Sequence, residues 1–398
     1  MRQTSSRPLH RVLASAAIAG SAALIATIVG ASADVDAAPL LKRFYETNFA
    51  APRANLAKSN PLRVGLYALG DGRVEVVLTN TSRKAIRIPY WQLPSAVNES
   101  NVFRVSRDGQ PVRFDGAMVK RAVPDAESFE ILWPGRSYRS VVDLSTAYDM
   151  TAGGLYTVAF ESPLQFASLT GRERLQQANG APMAAKSAPI QMRAVAAVTP
   201  TGGRPRPPVY ASRRGNSNTA FGLNLSYVGC TADRQDQLGN AVIAARQYAE
   251  NAKGYLNSAA AGPRYTSWFG AYNSSRYATV QQHFVNIDAA MDQNNGQLTL
   301  NCNCTHVPSP STTYAYVFPS EHYQIYLCGQ FWATSLLGTD SKAGTLIHEM
   351  SHFNIVAGTD DHVYGQSGAN NLANTDPSLA VDNADNHEYF AENTPFQN

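Results

Sequence analysis

Two hydrophobic rhythms divide this chain. Between about residues 61 and 162, apolar and polar residues alternate in short runs such as Leu62-Arg63-Val64-Gly65-Leu66-Tyr67 and Val74-Glu75-Val76-Val77-Leu78, with Gly, Asp, Asn and Pro between them. A period of two is that of a half-buried strand, so the front half predicts an antiparallel β-sandwich. Asp108-Gly109 and Gly153-Gly154 read as turns, and Leu155-Tyr156-Thr157-Val158-Ala159-Phe160 as a closing strand. No residue cluster in this half suggests catalysis. Beyond Cys230 the interval changes to three and four residues. Leu238, Val242, Ala245, Tyr248, Ala252 and Leu256 share one face of a long helix, and Val280, Phe284, Ile287 and Met291 mark a second. Short apolar runs over residues 313–318 and 323–327 read as strands, so the back part is expected to be mainly α with a small β element.

The ends and the join change the picture. Arg2, Arg7 and Arg11 precede an uncharged, mostly apolar run over residues 12–30 and the small residues Ala31-Ser32-Ala33. That pattern predicts a signal peptide over residues 1–33 and a secreted, extracellular product; no later stretch could span a bilayer. From about residue 171 to 218 the composition shifts to Ala, Pro, Gly, Gln and Arg, including Gly202-Gly203-Arg204-Pro205-Arg206-Pro207-Pro208. A flexible linker over residues 171–223, open to a maturation cut, should therefore separate a domain over residues 34–170 from one over residues 224–398. Ala185-Lys186 is a candidate maturation bond. All four cysteines, Cys230, Cys302, Cys304 and Cys328, fall in the back part, and in an exported chain they should form two disulfides; spacing leaves three pairings open.

Charge adds an asymmetry that the net value of +3 conceals. From Asn224 onward there are 6 Lys plus Arg against 15 Asp plus Glu, whereas the preceding residues hold 27 against 15. A basic front part and an acidic back part suit docking of the first on the second. Neither carries the clustered basic stripe and recognition module that nucleic-acid binding requires.

The chemistry is concentrated in Gly344-Thr345-Leu346-Ile347-His348-Glu349-Met350-Ser351-His352-Phe353, which contains H-E-x-x-H. On a helix, residues four apart share a face, so His348 and His352 can present imidazoles to one Zn²⁺ while Glu349 stands beside the metal as a general base. A catalytic zinc needs a third protein ligand. The segment Gly358-Thr359-Asp360-Asp361-His362-Val363-Tyr364-Gly365 follows, with Gly358 suited to end the helix in a left-handed cap. Asp360, Asp361 and His362 are all ligands by chemistry, and chemistry alone does not choose among them.

Taken together, H-E-x-x-H and G-T-x-D-x-x-Y-G resemble the pattern of the aspzincin metallopeptidases, which include deuterolysin and the peptidyl-Lys metalloendopeptidases. The resemblance implies a mainly α zincin-type domain with one zinc per chain, Asp361 as third ligand, and Tyr364 as the tyrosine that stabilises the oxyanion. Likeness to the peptidyl-Lys branch runs from about Tyr227 to Asn393 and includes Pro263-Arg264-Tyr265-Thr266, Tyr326-Leu327-Cys328-Gly329 and Asn383-Ala384-Asp385-Asn386-His387-Glu388-Tyr389-Phe390. It implies disulfides Cys230 to Cys302 and Cys304 to Cys328. It also implies an S1′ pocket in which Asp385 and Glu388 bind a substrate lysine, which the i, i+3 spacing on a helix permits. Asp376-Pro377 looks like the start of that helix, placing both carboxylates in its second half.

The expectation is a secreted zinc endopeptidase made as a proenzyme, with a β-sandwich-like prodomain docked on its catalytic domain, that cuts lysine-containing proteins or peptides before lysine. No membrane partner is expected after signal cleavage. Two alternatives differ in test: a deuterolysin-like enzyme with another P1′ preference, and a secreted non-catalytic adhesive protein whose active part is the β-sandwich.

Overall fold

The alternating front-half runs form strands, and their apolar positions turn inward: in Arg73–Asn80 the side chains of Val74, Val76 and Leu78 are buried. This strand pairs antiparallel with Leu62–Gly70 on one side and Ser137–Asp143 on the other. In all, the computed structural model describes residues 56–95, 99–170, 173–196 and 222–398. The expected signal peptide over residues 1–33 and residues 171–172 and 197–221 of the expected linker lie outside them.

Three antiparallel sheets make up the β-rich part. The last of them corrects the linker boundary. Ala184–Lys186 and Ile190–Ala194 both pair with the long strand Gly154–Pro163, so residues 173–196 belong to the β fold. Ala185, between half-buried Ala184 and exposed Lys186, and Met192, between exposed Gln191 and Arg193, fill the core, a period-two signal masked by the Ala- and Pro-rich composition around it. Ala185-Lys186 therefore lies in a paired strand, not in free backbone.

The back part is helical as its periodicity requires. Ala232–Asn257 starts with the Thr231 side chain accepting from the Arg234 amide and buries Leu238, Val242, Ala245, Ala249 and Ala252 against Ser274–Met291. Ser226–Val228, Thr299–Asn301 and Gln324–Leu327 run parallel, and Thr313–Val317 closes this small sheet antiparallel. Its free edge is then covered by Met118–Arg121, a strand from the front half, which pairs antiparallel with Thr313–Val317. The apolar cluster likewise continues from Ala57 to Ala391, so the two halves share one core where two separate cores were expected. Leaving an edge strand unpaired exposes a row of backbone donors and acceptors; here another part of the same chain satisfies them.

Candidate functional site

Every residue of the helix Lys342–His352 is buried. Its Ser341 cap accepts from the Gly344 amide, and Glu392 in turn accepts from the Ser341 backbone amide and hydroxyl, each at 2.8 Å. A Cβ at Gly344 would come within 2.1 Å of the Glu392 carboxylate, so only glycine admits this clamp. The helix stops at His352, earlier than the expected cap at Gly358. Gly358, at φ 64°, instead turns the chain back so that Thr359 reaches the site.

Four side-chain groups converge there. His348 Nε2 lies 3.2 Å from Asp361 Oδ1, and His352 Nε2 lies 3.5 Å from the same oxygen. All three atoms are buried, and none has a hydrogen-bond partner among the described residues. Buried nitrogen and oxygen atoms left without partners are costly unless something binds them. Two imidazoles and a carboxylate facing one point fit a zinc ion. The outer nitrogen of His352 is oriented, its Nδ1–H donating to the Thr359 carbonyl at 2.8 Å, and His348 Nδ1 lies 2.8 Å from Asp385 Oδ1.

The neighbouring candidates face elsewhere. Asp360 accepts from the Asp361 amide and from the Asn101 side chain, and His362 Nε2 pairs with Asp382 at 2.8 Å. The fourth converging group is Glu349. It is fully buried, both its oxygens lack hydrogen-bond partners among the described residues, and burial raises its pKa well above its ordinary value.

Asp385 and Glu388 sit on the buried helix Ala384–Glu392. This helix is separate from Pro377–Val381, so Asp385 lies in its first turn, not in the second half of a helix begun at Asp376-Pro377. The break falls at Asn383, whose side-chain oxygen accepts from the His362 and Val363 amides. Between the two carboxylates lies the ammonium of Lys120, which pairs with Glu388 and stands 3.5 Å from both Asp385 and Asp340. The Tyr314 ring flanks it at 5.1 Å. Burial by itself would lower this lysine's pKa; the three carboxylates outweigh it and hold the ammonium protonated.

Lys120 was not legible as a site residue, because nothing within Met118-Val119-Lys120-Arg121 distinguishes it from an exposed strand lysine. Its strand also engages the rest of the site. The Val119 amide donates to Asp361 Oδ2 at 3.2 Å, and the Tyr364 hydroxyl donates to the Val119 carbonyl at 3.1 Å. Gln165 holds Tyr364 from the same side, accepting from its amide and donating to its carbonyl, both at 2.8 Å. The disulfides join Cys230 to Cys302 and Cys304 to Cys328, as the resemblance implied.

The chain is similar to known metallopeptidases over most of its length. A family profile described as lysine-specific metallo-endopeptidase, of the aspzincins, matches residues 255–392. An "Extracellular protease" of Aeromonas hydrophila is 40% identical over 331 residues, covering 82% of this chain and 90% of its own length. A "Peptidyl-Lys metalloendopeptidase" of Armillaria mellea is 38% identical over 336 residues, covering 81% of this chain and 88% of its own. Another protein of that name, from Pleurotus ostreatus, is 52% identical over 171 residues, covering 43% of this chain and 98% of its own. By likeness over most of its length to such relatives, the chain belongs to the aspzincin family and is a zinc metalloendopeptidase.

Proposed function

We propose that this chain is the secreted proenzyme of an endopeptidase that cuts on the amino side of lysine, with the β-rich front half as its prodomain. The observation that carries the reading is Lys120. A pocket that buries one ammonium among Asp385, Glu388 and Asp340 is chemically a lysine pocket, and here the chain's own lysine fills it. The names of the relatives from Armillaria mellea and Pleurotus ostreatus support the same specificity, and that of the Aeromonas hydrophila relative supports export.

In the mature enzyme, His348, His352 and Asp361 would hold one zinc ion per chain. Bound there, zinc supplies a Lewis acid for the scissile carbonyl and lowers the pKa of water. Glu349 takes the proton of the attacking water and passes it to the departing amine. Tyr364 donates its hydroxyl to the carbonyl oxygen as negative charge gathers on it. Asp385 and Glu388 bind the substrate lysine that follows the cut.

The test compares kcat/KM of the matured protein on matched peptides with Lys, Arg or Leu at P1′. Charge-assisted hydrogen bonds of about 1.5–3 kcal/mol predict roughly ten- to a hundredfold preference for Lys over Leu. Arg should be poor, because its planar fork is wider than an ammonium. Glu388→Gln should lose that preference while still cutting Leu peptides. An unchanged Lys-to-Leu ratio would leave a zinc endopeptidase of other specificity. Glu349→Gln should abolish turnover on all three.

A further inference from the structure

The front-half strand does more than fill the lysine pocket, because it lies across the site in a definite register. Met118–Arg121 runs antiparallel to Thr313–Val317, as an extended peptide adds to a sheet edge. Lys120 stands in the acidic pocket, and the residue before it, Val119, presents its carbonyl oxygen to the Tyr364 hydroxyl at 3.1 Å. The carbonyl that the oxyanion-stabilising group holds is thus the one that precedes the bound lysine. In a peptidase that cuts before lysine, that carbonyl belongs to the bond that breaks. Glu349, the proposed base, has neither oxygen hydrogen-bonded among the described residues. On the far side the strand is anchored within its own half by the buried pair Arg121–Glu99, 3.1 Å apart.

We propose that Val119–Lys120 is itself a substrate bond, hydrolysed by the same molecule as the first cut in release of the front half. Water adds to the Val119 carbonyl carbon and the C–N bond breaks. Val119 leaves as a carboxylate and Lys120 gains a free α-amino group, its proton coming from the water through Glu349. The cut severs the strand at its centre, so the lysine is no longer tethered on both sides and the edge of Thr313–Val317 can exchange it for another peptide. Held between two folded flanks, the bond is attacked at a rate independent of protein concentration.

This inference rests on the lysine-directed reading above, and the experiment separates the two. The full-length chain is prepared metal-free, zinc is added, and intact-mass and N-terminal analysis follow the products in time. The expected result is a new N-terminus at Lys120 paired with a C-terminus at Val119, forming at the same rate over a hundredfold dilution. Isotope-labelled Glu349→Gln chain in the same tube should stay whole. Amide exchange over residues 313–317 should rise with the cut in the wild type and stay slow in Glu349→Gln. If zinc-loaded chains cleave an added Xaa-Lys peptide but no fragment begins at Lys120, the strand is only a blocking segment and the inference fails alone. If the matured enzyme shows no preference for Xaa-Lys peptides either, the specificity reading fails with it.

Discussion

His348 Nδ1 and Asp385 Oδ1 lie 2.8 Å apart, and Glu388 Oε2 stands farther from the same nitrogen at 3.3 Å, so the carboxylates around Lys120 also border this histidine, Asp385 most closely. Asp385 also accepts from the Gly365 amide at 2.6 Å, which fixes its second oxygen. A carboxylate that orients a ligating imidazole typically changes metal affinity 10- to 100-fold (about 1.4–3 kcal/mol) when removed. Asp385→Ala should therefore lose zinc affinity by roughly 10- to 100-fold as well as Lys preference, whereas Glu388→Gln should lose preference with zinc retained. Competition against a chromogenic chelator measures the first and peptide kinetics the second. Wild-type zinc affinity in Asp385→Ala would mean that Asp385 acts on substrate alone.

A second prediction separates two adjacent carboxylates. Asp360 already accepts from the Asp361 amide and the Asn101 side chain, while Asp361 Oδ1 faces both imidazoles without a partner. Asp361→Asn should release zinc during dialysis and Asp360→Asn should keep it. The reverse pattern in metal analysis would move the ligand by one position.

The site was legible where chemistry is local. H-E-x-x-H and the turn after it fix which atoms face one point, because helix geometry and one tight turn carry His348, His352 and Asp361 together. The long helices were legible for the same reason: their periods are set within a few turns. Three things were not. The strands over residues 184–194 were hidden by the Ala-, Pro- and Gly-rich composition around them, which reads as a linker. The helix break at Asn383 depends on amides of His362 and Val363, which are distant in sequence. Lys120 depends on a strand pairing about 195 residues away, which no periodicity encodes.

The third prediction follows from the burial of Lys120 and its partners. Truncation to Lys120→Ala leaves Asp385 and Glu388 desolvated without their cation, and breaking a buried pair by removing one partner costs about 3–5 kcal/mol. Metal-free full-length Lys120→Ala should lose stability of that order in urea unfolding. It should also cleave external peptides when zinc is added, before any processing of its front half. Stability within error of the wild type would show that water or another group compensates the carboxylates, and that the lysine is not what holds the strand.

The last prediction concerns pH and a pair of histidines behind the lysine pocket. His387 Nδ1–H donates to the Asn383 carbonyl at 3.0 Å, so its Nε2 is left to accept from His283 Nδ1–H, 2.9 Å away. This arrangement requires the His387 ring to be neutral. Burial, and for His387 the neighbouring His283, lowers both pKa values, that of His387 to about 3. In the unfolded chain the same ring titrates near its ordinary 6.5. As pH falls below that value the unfolded state takes up a proton that the folded state refuses, so stability drops between about pH 6.5 and 3 and levels off below. For His387 alone the loss from pH 7 to pH 5 is about 2 kcal/mol. Urea unfolding of the metal-free Glu349→Gln chain at several pH values, with and without His387→Gln, isolates the term: the substituted chain should show a slope shallower by that amount. Parallel curves would mean that the ring is protonated in the fold, and that the His283 to His387 hydrogen bond does not hold at acid pH.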